Sequence, residues 1–242
     1  MNVLDLDALV FDLDGVITDT ASVHARVWKA MFDEVLAARG LAPFDDADYL
    51  RYVDGRRRQD GVATFLASRG IDLPWGAPDD GPDEPTVCGL GNRKDRSFRA
   101  AVDADGVEVF DDARALLDAA RDAGVPLAVV SASESCEPIL VRVGLLDRFR
   151  VRVTGREAAA WRLPGKPAPD TFLKAAELLG VEPRRAAVLE DAVSGVQAGC
   201  AGGFGLVVGV DRRGAAAALA AAGADVVVSD LRGLLAPWPA PP

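Results

Sequence analysis

Short apolar runs separated by helical patterns organise most of the chain. "ALVF" (8–11) stops at Asp12, and similar runs recur at "VPLAVVS" (125–131), "VRVTG" (151–155), "AAVLE" (186–190), "GLVVGV" (205–210) and "DVVVSD" (225–230). Runs this short, with little polar alternation, predict buried strands. Between most of them lie segments with helical spacing. "DARALLDAARDAG" (112–124) stops at Gly124, "PDTFLKAAELLG" (169–180) has Pro169 near its start and Gly180 after it, and 214–222 is an Ala-rich helix. Alternating strands and helices predict an α/β fold with a central parallel sheet covered on both faces.

Residues 19–100 depart from that rhythm. "TASVHARVWKAMFDEVLAARG" reads as one long amphipathic helix, with "DGVATFLASRG" (60–70) and "RKDRSFRAAV" (93–102) as further helices. The Pro-, Gly- and Asp-rich stretch 71–91 between them reads as a loop. An all-helical insertion directly after the first strand predicts a cap domain over 19–102 and a discontinuous core of 1–18 and 103–242. The closing "APWPAPP" is expected to be a loose tail.

Composition narrows the function classes. No stretch of 18 apolar residues occurs in the 242, so no membrane span is expected. The opening "MNVLDLDALV" lacks the basic region and long apolar stretch of an export signal. Three isolated cysteines without metal-ligand spacing suit a reducing cytoplasm. A net charge of −10 repels polyanions, which argues against a nucleic-acid partner. Arg56, Arg57 and Arg58 are the one dense basic cluster, readable as a solvated loop or as a local site for a small anion.

In open parallel sheets, ligands bind beyond the carboxyl ends of the strands. Asp12 and Asp14 follow the first predicted strand, Ser131 the second, and Glu190 and Asp191 the run "AAVLE"; Lys166 sits in the turn-rich "PGKPAPD". Helix capping accounts for any one of these residues, but not for both the Asp-x-Asp and the adjacent Glu-Asp. Four carboxylates in one crevice repel one another unless a hard divalent cation, Mg²⁺ by preference, lies among them. Such an ion draws in a phosphate, to which Ser131 offers a hydroxyl and Lys166 a compact charge. Asp12 can then attack phosphorus to form an aspartyl-phosphate, while Asp14 donates and later accepts a proton.

"FDLDGV", "VVSAS", "GKPAPD" and "LEDAVSGVQAG", in this order from Phe11 to Gly199, resemble the four motifs of the haloacid dehalogenase superfamily of phosphoryl-transfer enzymes. The resemblance implies a Rossmann-like core and the roles just described. It adds Ala132 beside Ser131 in the phosphate-binding loop and the main-chain carbonyl of Asp14 as a further Mg²⁺ ligand. Carbon–halogen displacement needs neither Asp14 nor Mg²⁺, and a retired binding module would have lost a charged residue from the set.

The opening "DLDGVITDTASVHARVWKAM" is similar to the β-phosphoglucomutase subfamily, and the likeness continues into the cap. It implies a hinge threonine at Thr20, a cap histidine at His24, a phosphate-binding arginine at Arg58 in the loop containing Gly55, and a cap lysine at Lys94. Trp28, Ser133 and Ser135 join these as candidate substrate contacts. His24 shares a helical stripe with Trp28, Met31 and Val35, so packing is its other reading. Glu134 stands where the subfamily carries a basic residue and would push a second phosphate away. The implied activity is phosphoryl transfer on a sugar phosphate, with a bisphosphate turning round in a closed site. The alternative is a phosphatase, in which water replaces the sugar hydroxyl; the long loop 71–91 suits a disaccharide phosphate. The expected partner is a small sugar phosphate, taken up by a cytoplasmic monomer.

Overall fold

Six apolar runs form one parallel sheet in a computed structural model that describes residues 2–236. The strands are β1 (Ala8–Phe11), β2 (Leu127–Val130), β3 (Val151–Val153), β4 (Ala186–Glu190), β5 (Leu206–Val210) and β6 (Val226–Val228), in the order β3-β2-β1-β4-β5-β6. All five pairings are parallel, with Leu9 beside Leu127 on one side of β1 and Ala187 on the other. Every residue of β1, β2, β4 and β5 is buried, which is why these strands lack alternation. The chain leaves β1 first towards β2 and later returns to its other side as β4. The carboxyl ends of β1, β2 and β4 therefore flank the point where strand order reverses.

Helices cover the sheet because each carries one apolar face. Asp170–Leu179 buries Phe172, Ala175, Ala176 and Leu179, a spacing of three, one and three, and stops at Gly180 in the left-handed conformation (φ 74°). These residues pack with Val10, Val130, Val153 and Val188 in one core cluster.

The chain divides into two compact units, Met1–Asp19 with Val107–Pro242 and Thr20–Gly106. The second is helical and has its own core, in which Trp28, Phe32, Phe44 and Phe65 pack ring on ring at 4.3–5.2 Å. Its long helices are Ala21–Ala37, Arg58–Ser68 and Val87–Asp105. The third begins well before the expected 93, inside the stretch read as loop. Thr86 caps it by accepting the Gly89 N–H at 2.9 Å, and Gly89 and Gly91 give close approach rather than a break. A Cβ at Gly89 would lie 2.4 Å from the Glu84 carbonyl oxygen, and one at Gly91 would lie 3.1 Å from Arg58 Cγ. The same helix continues past residue 102, because nothing stops it before Gly106 (φ 80°). A short helix, Asp46–Asp48, running into a π-helical turn, Tyr49–Val53, has no counterpart in the periodicity.

No helix of the described residues is long and apolar enough to cross a membrane. The Pro-rich tail, apart from Ala236, lies outside the described residues.

Candidate active site

β1 ends by extending its ladder one residue, the Asp12 N–H donating to the Leu189 carbonyl at 3.0 Å. Asp12 is thereby held at the sheet edge beside β4. The chain then turns tightly: Gly15 N–H donates to the Thr18 carbonyl at 2.8 Å, and the Ile17 and Thr18 N–H groups to the Leu13 carbonyl at 3.0 Å. Gly15 has φ 87°, and a Cβ there would lie 1.9 Å from Asp191 Oδ2. Only glycine lets the Asp191 carboxylate rest against this turn, next to Asp14.

Two pairs organise the edge. Lys166 Nζ donates to Asp12 Oδ1 at 2.5 Å and also to Glu190 Oε1. Its ammonium lies over the Phe172 ring, 4.9 Å from the centroid. Ser131 Oγ donates to Asp14 Oδ2 at 3.1 Å and accepts the Ser133 N–H at 3.1 Å. Ser133 Oγ in turn accepts the Ser135 N–H at 3.1 Å, so the loop carrying Ala132 is folded on its own hydroxyls.

Electrostatics follow from burial. Asp12 is 6% exposed and Lys166 5%, and Glu190 is fully buried. Burial pushes the Asp12 carboxyl well above the usual range; Lys166 opposes that rise, while Glu190 and Asp14 add to it. Burial alone would lower Lys166, but the Asp12 and Glu190 carboxylates outweigh it and hold the ammonium above the ordinary lysine range. Lys166 is therefore held as a cation, shared by the Asp12 and Glu190 carboxylates.

Glu190, expected among the metal ligands, turns both oxygens to partners within the protein. Its Oε1 is taken by Lys166 and its Oε2 by the Ala192 N–H at 2.8 Å. A carboxylate buried in the interior must be neutralised there, and Lys166 supplies that charge. Gly195 makes room for it, since a Cβ at that position would stand 1.8 Å from Glu190 Oε1. We expect Gly195→Ala to cost about 2–4 kcal/mol of stability, read from urea unfolding, because the displaced carboxylate loses both partners.

The helical unit gathers a second set. Lys94, 4% exposed, places Nζ against His24 Nδ1, 5.0 Å from the Trp28 ring centre and 4.8 Å from that of Phe98. The His24 ring stacks on Phe98 at 3.9 Å. A lysine buried among aromatic faces is held by their negative quadrupoles. Arg58 opens its helix and pairs with Asp95 at 2.9 Å, which also binds Arg99 at 2.7 Å. Arg57 pairs with Asp60 at 2.7 Å, so Arg57 and Arg58 go to separate carboxylates. Thr20 is buried at the helix start, its carbonyl accepting the His24 N–H at 2.9 Å, and Gly55 takes φ 69° just after the π-helical turn.

Asp12, Asp14, Ser131, Lys166, Glu190 and Asp191 thus meet at one sheet edge, whereas His24, Trp28 and Lys94 meet inside the helical unit. Sequence reasoning passed over Phe98, Asp95 and the three glycines 15, 155 and 195. Phe98 was signalled by its four-residue spacing from Lys94. Gly155 was not: a Cβ there would lie 2.6 Å from the Ala132 carbonyl oxygen, a contact between distant segments.

An aspartate pair at the end of the central strand, a serine after its neighbour, a lysine reaching the first aspartate and an acidic pair after the next strand define a phosphoryl-transfer site. The chain belongs to the haloacid dehalogenase-like hydrolase family, which it matches over residues 6–203. Within that family it is 53% identical over 239 residues to the β-phosphoglucomutase of Mycobacterium tuberculosis (strain CDC 1551 / Oshkosh), covering 94% of this chain and 91% of the relative. It is 30% identical over 206 residues to the β-phosphoglucomutase of Bacillus subtilis (strain 168), covering 84% of each. The crystal structure of β-phosphoglucomutase from Clostridium difficile shares the fold, with TM-score 0.76, 23% identity, and 95% of this chain and 93% of that one covered.

Proposed function

We propose that the chain interconverts β-glucose 1-phosphate and glucose 6-phosphate by phosphoryl transfer through an aspartyl-phosphate on Asp12. The observation that carries this reading is the pairing of Asp12 with Lys166 and of Asp14 with Ser131 at one sheet edge. The likeness to two β-phosphoglucomutases, one at 53% identity, supports the choice of sugar over water as acceptor.

The cycle starts with the phosphoryl group on Asp12. The C6 hydroxyl of β-glucose 1-phosphate attacks phosphorus, its proton passes to Asp14, and the bond from phosphorus to Asp12 breaks. The resulting bisphosphate turns round. The Asp12 oxygen not held by Lys166 attacks the phosphorus on C1, the P–O1 bond breaks, and Asp14 returns its proton to O1. Glucose 6-phosphate leaves and Asp12 is phosphorylated again. Lys166 keeps one Asp12 oxygen engaged throughout, so the attacking oxygen is always the same one. Ser131, with the main chain at Ala132, steadies the moving phosphoryl group.

The acidic edge fits a Mg²⁺ ion. Asp12 and Glu190 share one ammonium, Asp14 has a serine hydroxyl as partner, and Asp191 presses on the turn at Gly15. Among the described residues, no three acidic, histidine or cysteine side chains are arranged to hold a metal by themselves. Magnesium commonly takes only one or two carboxylates and completes its shell with water and phosphate oxygens. Asp12 and Asp191 would hold it, with the Asp14 carbonyl; bound there, it neutralises charge on the phosphate. We assign Ser133 and Ser135 of the sheet unit as hydroxyl donors to substrate, and Arg58 and Lys94 of the helical unit as cations for a phosphate. His24, Trp28, Gly55 and Thr20 position that group of residues.

The test is incubation with β-glucose 1-phosphate, a trace of glucose 1,6-bisphosphate and Mg²⁺. Glucose 6-phosphate should accumulate with little inorganic phosphate. Rapid phosphate release with no glucose 6-phosphate would make the protein a phosphatase instead.

A further inference from the structure

An ion pair outside the four motifs, buried on its Asp112 side and half-buried on its Arg212 side, grips the turn that carries Asp14. Asp112, in the first turn of the helix Asp111–Asp122, and Arg212, two residues after β5, form a two-pronged pair at 2.8 and 2.9 Å. Asp112 also accepts the Ala113 N–H at 2.9 Å and the Leu231 N–H at 2.7 Å. Arg212 lies over the Phe110 ring at 4.2 Å and donates to the carbonyls of Ser229 at 3.1 Å and Val16 at 3.4 Å. Val16 belongs to the turn 13–18. The next residues of that turn are tied to the segment in front of Asp112, the Phe110 N–H donating to the Ile17 carbonyl and the Asp19 N–H to the Glu108 carbonyl, both at 3.0 Å.

These bonds converge on the two places where the chain crosses between its units, after Asp19 and before Val107. A buried ion pair is poor evidence of stability, since apolar residues of similar volume usually serve as well. A methionine at 212 would pack on Phe110 but could not hold two separated backbone carbonyls and the Asp112 carboxylate in register. Fork geometry, not charge alone, is what this position uses.

We propose that Arg212 and Asp112 are positioning residues for phosphoryl transfer. They fix the Val16 and Phe110 segments, and through them the orientation of Asp14 and the stem of both crossings. Asp14 must present its proton to a sugar oxygen and refuse water, so loosening the turn lets the aspartyl-phosphate react with water. In that leak a water oxygen attacks phosphorus, the bond to Asp12 breaks, and the products are inorganic phosphate and the free carboxylate. The inference rests on the transfer reading above.

The experiment compares wild type, Arg212→Met, Arg212→Lys and Asp112→Asn with β-glucose 1-phosphate as substrate. It measures kcat, KM and inorganic phosphate released per glucose 6-phosphate formed. That ratio does not depend on how much protein is folded. Arg212→Met should lose about tenfold or more in kcat with KM changed less than about threefold, and its phosphate ratio should rise about tenfold. Arg212→Lys should restore part of both, and it carries the test if the methionine variant is insoluble. A phosphate ratio equal to wild type, whatever happens to the melting temperature, overturns the proposal. If wild type itself makes no glucose 6-phosphate, the transfer reading fails, and the decay of enzyme phosphorylated by acetyl phosphate is compared instead. Faster decay in the variants supports the positioning role, and equal decay overturns it.

Discussion

Asp12→Asn should turn over β-glucose 1-phosphate at roughly one ten-thousandth of the wild-type rate or less, because an amide cannot take up the phosphoryl group. The fold should survive. Lys166 keeps Glu190 as a partner, and the variant removes one of the two carboxylates that share its ammonium. Burial already holds the Asp12 carboxyl well above the ordinary range, so its ionised form is disfavoured in the folded protein. The sign follows: a raised native pKa means that Asp12 weakens the folded state as pH rises past its unfolded value, near 3.9. In metal-free buffer at pH 7, the thermal midpoint of the variant should therefore equal or exceed that of wild type. Acid-quenched gels with labelled bisphosphate should show phosphoenzyme in wild type and none in the variant. A variant that still labels and turns over at the wild-type rate would remove Asp12 as nucleophile.

Lys166→Met has the opposite profile, damaging both stability and rate. The methionine side chain fills similar volume over Phe172 but leaves Asp12 and Glu190 buried with no counter-charge. Breaking a buried pair from one side costs about 3–5 kcal/mol, far more than the pair contributes net. We expect a loss of that size in urea unfolding, and a fall in kcat of about a thousandfold, since the cation that fixes the nucleophile is gone. Adding Glu190→Gln should recover part of the stability and none of the rate. A double-mutant cycle separates the two effects. If Glu190→Gln proves as harmful beside methionine as beside lysine, the two side chains are not coupled, and Glu190 has a different task.

The strands of the sheet were readable because fully buried strands write themselves as short unbroken apolar runs. The residues at their ends were readable for a related reason. A carboxylate directly after an apolar run has nowhere to go but the sheet edge. Asp12, Asp14, Ser131, Glu190 and Asp191 each occupy such a place, and Lys166 stood out in its turn-rich segment. Helix limits read less well wherever glycine served packing. Gly89 and Gly91 look like breaks, yet they lie inside a helix that needs bare backbone against Glu84 and Arg58. The network of Arg212 and Asp112 left no local signal, since its two charges stand 100 residues apart.

By itself the sequence determined which residue types stand at each strand end, the α/β order, and the excess of acid that calls for a cation. Those properties depend on near neighbours and composition, which a linear chain displays directly. Only the tertiary structure decided how the charges are shared. It gave Lys166 to Asp12 and Glu190 together, drew both Glu190 oxygens inward, laid Asp191 on Gly15, and sent Arg57 and Arg58 to separate partners. Pairing energies depend on distances of a few ångströms between segments far apart in the chain, and only packing sets those distances.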